Sequence, residues 1–180
     1  MYKKILSGLM LFTAVALAAD NQQWVLEQST LAYRVSHPLH QTDGVSHAAR
    51  GKGICHENEC NFLIAAPVKS FASGDSNRDL HMIQATRGAQ FPLVTVRTRI
   101  PESSLNSQAL LLDLEVEFAG QTVDYSQVRF QQVIEGAHHR IWGTVPAKVS
   151  DFKIERPTLL TVPIKDEMPV RVEMLWKPAP

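Results

Sequence analysis

The stretch 111–118, LLDLEVEF, decides the fold class because apolar and acidic side chains alternate along it. The apolar side chains at even positions from 112 to 118 fall on one face of an extended chain, and the acidic side chains at odd positions fall on the other. This period of two is typical of a β-strand that buries one face. We therefore predict a strand here, followed by a turn at residues 119–121.

The same alternation recurs before and after this strand, with turn residues between the runs. The predicted inward faces are Leu31, Tyr33 and Val35; Phe62, Ile64, Ala66 and Val68; Val94, Val96, Thr98 and Ile100; Ile141, Gly143, Val145, Ala147 and Val149; and Val170, Val172, Met174 and Trp176. After Tyr125 the phase changes, which predicts a β-bulge near Ser126 and Gln127. Many strands joined by hairpin turns are typical of an antiparallel sandwich or closed barrel, so we predict one all-β antiparallel domain.

The stretch 70–82, SFASGDSNRDLHM, breaks the alternation and predicts a short helix. Ser76 and Asp79 have the spacing of a capping box, in which each side chain accepts a hydrogen bond from the other residue's backbone N–H. The helix is predicted from about Asn77 to Arg87 and ends at Gly88. The side chains expected to face inward are those of Leu80, Met82 and Ile83.

Polar residues of this helix support competing functional hypotheses. Arg78 and His81 are three residues apart, so they could jointly hold a carbonyl or phosphate group at a barrel mouth, or instead donate to backbone carbonyls of nearby loops. Asp79 and His81 are two apart, which separates them around a helix and prevents a relay between them alone. The sequence contains no G-x-S-x-G nucleophile motif. We predict a non-catalytic protein, with a hydrolase using His81 as the least favoured alternative.

The two cysteines, Cys55 and Cys60, flank the four residues HENE. In an exported protein a hairpin with this spacing places the two residues opposite each other, which favours a disulfide. A redox-active pair and half of a metal site with His56 are the alternatives. The spacing differs from C-x-x-C, and two thiolates with one imidazole leave a tetrahedral site incomplete, so we interpret the pair as a structural disulfide.

Charge and histidine content argue against two further classes of site. Removing Lys3 and Lys4 with a leader changes the balanced 18 basic and 18 acidic side chains to a net charge of −2, with no run of one sign, so no nucleic-acid partner is expected. None of the seven histidines has a distinctive metal-ligand spacing. We expect no metal and no cofactor.

The first 18 residues have the pattern of a secretory signal peptide: two lysines, an apolar run and the small-x-small sequence ALA. The apolar run is too short to span about 30 Å of hydrocarbon. We predict cleavage after residue 18, a periplasmic location, and a single domain over residues 19–180. The sequence leaves open a homodimer and a transient contact with a membrane.

The chain resembles the YceI-like family of secreted, lipocalin-like proteins that bind polyisoprenoids. The resemblance rests on the signature S-F-x-S-G-x-x-x-R-D-x-H-M, matched here at Ser70, Phe71, Ser73, Gly74, Arg78, Asp79, His81 and Met82. Supporting matches are Trp24, Ser29, Tyr33, Val35, His37, Gly44 and the segment Asp151-Phe152-x-Ile154. It covers roughly Trp24 to Met174.

The resemblance implies an eight-stranded antiparallel lipocalin-like barrel with a short helix near one end, around an apolar cavity that holds a quinone tail, a polyprenyl phosphate or another long-chain lipid. Strand phase and the signature together suggest Phe71, Met82, Phe118, Phe130, Ile141 and Val145 as wall residues, with Arg78 and His81 near the head group. The alternative is a stress-related structural or partner-binding barrel filled by its own side chains.

Overall fold

The computed structural model describes residues 21–159 and 161–180. The predicted leader, residues 1–18, lies outside this part of the chain. Within the described part, no helix is long and apolar enough to cross a membrane. The described residues form a closed antiparallel barrel of eight strands with one short α-helix, which confirms the predicted fold class.

The strands are β1 (Gln23–His37), β2 (His40–Ser46), β3 (Arg50–His56), β4 (Glu59–Pro67), β5 (Leu93–Pro101), β6 (Ala109–Phe118), β7 (Gln121–Glu135), β8 (His138–Val145), β9 (Thr158–Leu159), β10 (Val162–Pro163) and β11 (Val170–Pro178). The α-helix, α1, spans Ser76–Ala85. Short 3-10 helices span Val68–Ser70, Glu102–Asn106 and Ser150–Phe152.

The barrel closes because β1 pairs along its length with β11, while neighbouring strands from β3 to β8 form the rest of the wall. Residues 23–25 of β1 also pair with β3, and residues 31–37 pair with β2. β2 and β3 therefore act as one broken strand of the barrel. Closure leaves the main wall without the unpaired edges that would invite association with other sheets.

The predicted bulge lies where the sequence places it. Ser126 and Gln127 on β7 together oppose Asp113 on β6. Gln127 has a φ of 55°, and its backbone N–H donates to the Asp113 carboxylate at 2.8 Å. This extra residue restores the phase of β7, so Val128 and Phe130 both face the interior.

The Cys55–Cys60 disulfide joins paired residues of the β3–β4 hairpin, as predicted. Their Cα atoms are 3.9 Å apart, and both side chains are buried. The connecting loop is shorter than the four residues expected, because His56 pairs with Glu59 and only two residues turn the chain. Both turn residues, Glu57 and Asn58, have positive φ, as a tight two-residue hairpin turn requires.

The helix begins differently from the predicted capping box. Asp75 is the N-cap, and its carboxylate accepts from the backbone N–H of Arg78 at 3.0 Å. Asp79 instead accepts from the backbone N–H of Ser73 at 2.9 Å and from its hydroxyl at 2.6 Å. The carboxylate of Asp79 therefore holds the loop before the helix and does not cap the helix.

The inward face of α1 also differs from the predicted one at Leu80, which is 52% exposed. The helix lies over one end of the barrel and presents Arg78, His81, Met82 and Ala85 to the interior. These positions follow the spacing of one helical face, which points Leu80 away from it. Met82 packs against the core, as predicted.

The helix ends at Ala85, two residues before the predicted last residue Arg87. Arg87 takes the left-handed conformation with φ of 53°, and the backbone N–H groups of Arg87 and Gly88 donate to Gln84 and Ile83. This is a Schellman motif with arginine where glycine is usual. The Arg87 guanidinium donates to the Ala119 carbonyl and lies 5.1 Å from the Phe91 ring centroid. These contacts offset the conformational cost of the left-handed arginine.

Candidate ligand-binding site

A cavity of about 450 Å³ occupies the barrel interior. Pockets for small ligands typically have volumes of about 300–1,000 Å³, so this space suits one slender molecule. Its walls are mainly apolar, with contributions from strands around the barrel such as Leu31, Ile64, Val96, Val116, Phe130 and Val172. The interior is therefore not filled by its own side chains.

The eight residues predicted as ligand contacts all line this cavity. They are Phe71, Arg78, His81, Met82, Phe118, Phe130, Ile141 and Val145. Phe118, Phe130, Ile141 and Val145 face inward because of their phase on β6, β7 and β8, whereas Phe71 precedes α1 and Met82 lies on it. Their role in binding stays a prediction, since the structure describes their position and not a ligand.

Gly143 does not enlarge the cavity in the way that its inward phase suggests. A Cβ atom at this position would lie 2.6 Å from the Phe130 ring and 2.9 Å from the Arg129 carbonyl oxygen. The missing side chain therefore makes room for Phe130 on the adjacent strand. Ala66 and Ala147 do line the cavity, as the predicted inward faces imply.

One end of the cavity is closed by a buried polar cluster that the sequence prediction did not include. The Gln132 side-chain amide donates to the carbonyls of Leu105 and Ser107, both at 2.8 Å. Its oxygen accepts from Nδ1 of His139 at 3.3 Å, and the Trp24 ring packs edge-on against His139. Burial lowers the pKa of His139, which keeps the ring neutral. We call this cluster the floor.

Gln132 could have been found from the sequence. Once the bulge is placed, it falls in the same phase as Val128 and Phe130, so it must face inward. It is 2% exposed. A buried side-chain amide is expected to have hydrogen-bond partners, and here it has them.

The opposite end of the cavity is the mouth. Cavity-lining residues that are exposed to solvent cluster at this end: His40, Arg78, His81, Pro157 and Thr158. The lining residues near the floor, including Ile100, Leu105 and Trp176, are buried. The cavity therefore opens under α1 and beside the β1–β2 hairpin.

Hydrogen bonds fix Arg78 at the mouth. Its Nε donates to the Ser73 hydroxyl at 3.2 Å and its Nη1 to the Thr42 hydroxyl at 3.4 Å. The alternative that Arg78 donates to loop carbonyls is not observed among the described residues, where it donates to the two hydroxyls. The Asp79 carboxylate accepts hydrogen bonds from the backbone N–H and hydroxyl of Ser73, and it does not pair with His81. The arrangement holds a guanidinium beside the cavity and assembles no Asp-His pair for catalysis.

Comparison with solved structures identifies the fold. A polyisoprenoid-binding domain from Saccharophagus degradans, implicated in plant cell wall breakdown, superposes with a TM-score of 0.71 at 14% identity, covering 87% of this chain and 98% of that domain. The fold is that of YceI-like proteins. No protein-family model matches the sequence, and no curated protein matches it.

Two further structures share the YceI-like fold. BcnA from Burkholderia cenocepacia has a TM-score of 0.69 at 14% identity, with 82% of this chain and 95% of that chain covered. A YCEI protein from Campylobacter jejuni has a TM-score of 0.53 at 14% identity, with 100% and 99% covered. In this YceI-like barrel, the signature stretch 70–82 forms the segment that crosses the mouth and begins α1.

Within residues 21–159 and 161–180, no group of three or more His, Cys, Asp or Glu side chains is arranged to hold a metal ion. The mouth nevertheless gathers three histidines, since His37, His40 and His81 all line the cavity there. The His37 and His40 rings face each other across the β1–β2 hairpin with centroids 5.5 Å apart. Imidazole groups at this position can donate to or accept from a ligand.

Proposed function

We propose that the barrel binds one amphipathic lipid with an isoprenoid-type chain, and that the protein carries or sequesters this lipid in the periplasm without catalysis. The observation that carries the proposal is the distribution of chemistry along the cavity. Apolar walls extend from the floor to the mouth, and the exposed polar side chains are confined to the mouth. An apolar chain with one polar end matches this distribution.

The energetics of burial favour such a ligand. Burying about 15 methylene groups contributes about 12 kcal/mol. Association and ordering consume about 4 kcal/mol or more of this, which leaves enough for micromolar binding or better. The solved polyisoprenoid-binding domain of the same fold supports the choice of an isoprenoid-type chain. The predicted leader supports a periplasmic location.

The first test is native mass spectrometry of the full protein purified from the periplasm without detergent, with lipid analysis of an organic extract from the same sample. We expect a mass increment that matches one extracted lipid per chain. A bare protein that still takes up no quinone or polyprenyl phosphate after incubation would contradict the proposal.

A cavity-filling substitution tests where the lipid binds. Val172 lines the cavity near the start of β11, so Val172→Trp should fill the space and remove the bound lipid. Val133 is 43% exposed on the outside of β7, so Val133→Trp is the matched control and should retain lipid. Thermal unfolding of both variants checks that the barrel still folds. Equal lipid retention in the two folded variants would place the lipid outside the cavity.

A further inference from the structure

Most polar side chains along the cavity already have protein partners. The Thr86 hydroxyl donates to the Met82 carbonyl at 2.8 Å, and the Thr98 hydroxyl donates to the Asp113 carbonyl at 2.8 Å. The Tyr125 hydroxyl donates to Asp151 at 2.6 Å. Together with the floor glutamine, these groups stabilise the barrel, and a ligand would have to break existing bonds to use them.

The mouth contains a buried polar atom that has no hydrogen-bond partner among the described residues. Three buried side-chain nitrogen or oxygen atoms in the described part of the chain lack a hydrogen-bond partner: Trp24 Nε1, Ser29 Oγ and His37 Nε2. Of these three residues, His37 is the one that lines the cavity. His37 is 6% exposed, so bulk water does not solvate its ring well. A buried polar atom without a partner costs free energy, which suggests that a ligand supplies one.

The backbone fixes which proton this histidine carries. The Leu39 backbone N–H donates to His37 Nδ1 at 3.2 Å, so Nδ1 must present its lone pair. In the neutral ring the proton is then on Nε2. The unpartnered atom is therefore a donor, and its missing partner is an acceptor.

Neighbouring groups at the mouth are also donors. The Tyr33 hydroxyl lines the same cavity and makes no hydrogen bond with the described residues. Burial raises the pKa of Tyr33, and Asp79 and Asp43 raise it further while Arg78 opposes them. The hydroxyl thus keeps its proton. Arg78 contributes a positive charge and N–H groups beyond those used by Ser73 and Thr42.

The acidic groups near the mouth are already engaged. Asp43 accepts from Arg34 at 2.6 and 2.8 Å, Asp79 accepts from Ser73, and Asp75 caps the helix. An ammonium head group would therefore compete with existing partners for each carboxylate. The carboxylates near the mouth thus have partners, whereas His37 Nε2, the Tyr33 hydroxyl and further N–H groups of Arg78 are left to donate.

We infer that the mouth selects lipids whose head group presents an acceptor oxygen, either a phosphate or a quinone carbonyl, and that His37 Nε2 donates to this oxygen. The inference rests on the proposed function and adds a specificity-determining residue to it. Arg78 and Tyr33 supply further donors around the same oxygen. A head group that offers only donors, such as an amine, leaves His37 without its partner.

Binding of three probes with similar isoprenoid tails tests this inference: geranylgeranyl monophosphate, a menaquinone and geranylgeranylamine. Dissociation constants are measured by displacement of a fluorescent fatty-acid probe from the full protein. His37→Asn keeps an acceptor near Leu39 N–H but removes the donor at the Nε2 position, whereas His37→Gln retains an amide donor near that position. His56→Asn, at the exposed last residue of β3 at the floor end, is the matched control.

We expect His37→Asn to weaken binding of the phosphate or the menaquinone about tenfold, with His37→Gln closer to wild type and His56→Asn unchanged. Binding of the amine should be weak and insensitive to all three substitutions. The probe that loses affinity in His37→Asn identifies whether the oxygen is a phosphate or a carbonyl. Equal affinities of wild type and folded His37→Asn for both oxygen-bearing probes would overturn the inference and leave lipid binding intact. Failure of wild type to bind any probe would overturn the proposed function together with it.

Discussion

Gln132 and His139 form their hydrogen bonds in the part of the barrel from which water is excluded. The Gln132 side chain uses both amide hydrogens and its oxygen, so the pair buries polar atoms without leaving any unsatisfied. The Gln132 oxygen can only accept, so Nδ1 of His139 must carry a proton, and burial of the ring disfavours a second proton on Nε2. The floor therefore depends on the protonation state of one histidine.

That dependence predicts a loss of stability in acid. Because burial lowers the pKa of folded His139, the unfolded chain binds the proton more tightly, and the stabilisation present above pH 6.5 is lost as the pH falls below it. We expect the free energy of unfolding to fall between about pH 7.5 and 5.5, and less steeply in His139→Asn, whose amide can still donate to Gln132. Urea denaturation at several pH values measures both slopes. Identical slopes would show that His139 does not contribute.

At the scale of elements, the start of α1 could be capped by Asp75 or by Ser76, and the structure shows Asp75 as the N-cap. The Asp75 carboxylate bonds to the backbone N–H of Arg78, and the hydrogen bonds to it lower the pKa of Asp75. The Ser76 hydroxyl makes no hydrogen bond with the described residues. We expect Asp75→Ala to lower the thermal unfolding midpoint by a few degrees and Ser76→Ala to change it little. A larger drop in the unfolding midpoint for Ser76→Ala than for Asp75→Ala would show that Ser76 caps the helix, as the capping box predicts.

Strands that bury one face in the barrel interior could be predicted well from the sequence. In β6 from residue 112 onward each inward residue is apolar and each outward one is acidic, so the period of two fixes the strand and its faces. The bulge in β7 followed from the same pattern, since one extra residue moves every later side chain to the opposite face. Phe118, Phe130, Ile141 and Val145 were placed on the inside for this reason.

Elements whose faces depend on tertiary contacts could not be predicted in the same way. Local spacing allows either Asp75 or Ser76 to cap α1, and the choice follows from Ser73, which engages Asp79. β2 has little apolar alternation and forms because its backbone pairs with β1. The donor state of His37 depends on the N–H of Leu39, which only the hairpin geometry reveals.

At the scale of the whole molecule, the barrel separates a structural end from a binding end. The Cys55–Cys60 disulfide lies at the floor end, where Cys60 pairs with cavity-lining Ile100. We expect replacement of both cysteines by alanine to lower the free energy of unfolding by about 2 kcal/mol, the value for closure of a short loop. Lipid affinity should stay the same, because the mouth is at the opposite end. Loss of binding in a variant that remains folded at the assay temperature would show that the two ends are coupled.

The closed floor also has a kinetic consequence. A lipid held as proposed enters tail first and must leave head first through the same opening, so an incoming molecule cannot push the resident one out from behind. Exchange is then strictly sequential, and the rate at which cargo departs is independent of how much free lipid surrounds the protein. Delivery depends on a recipient that takes hold of the protruding head and withdraws the chain.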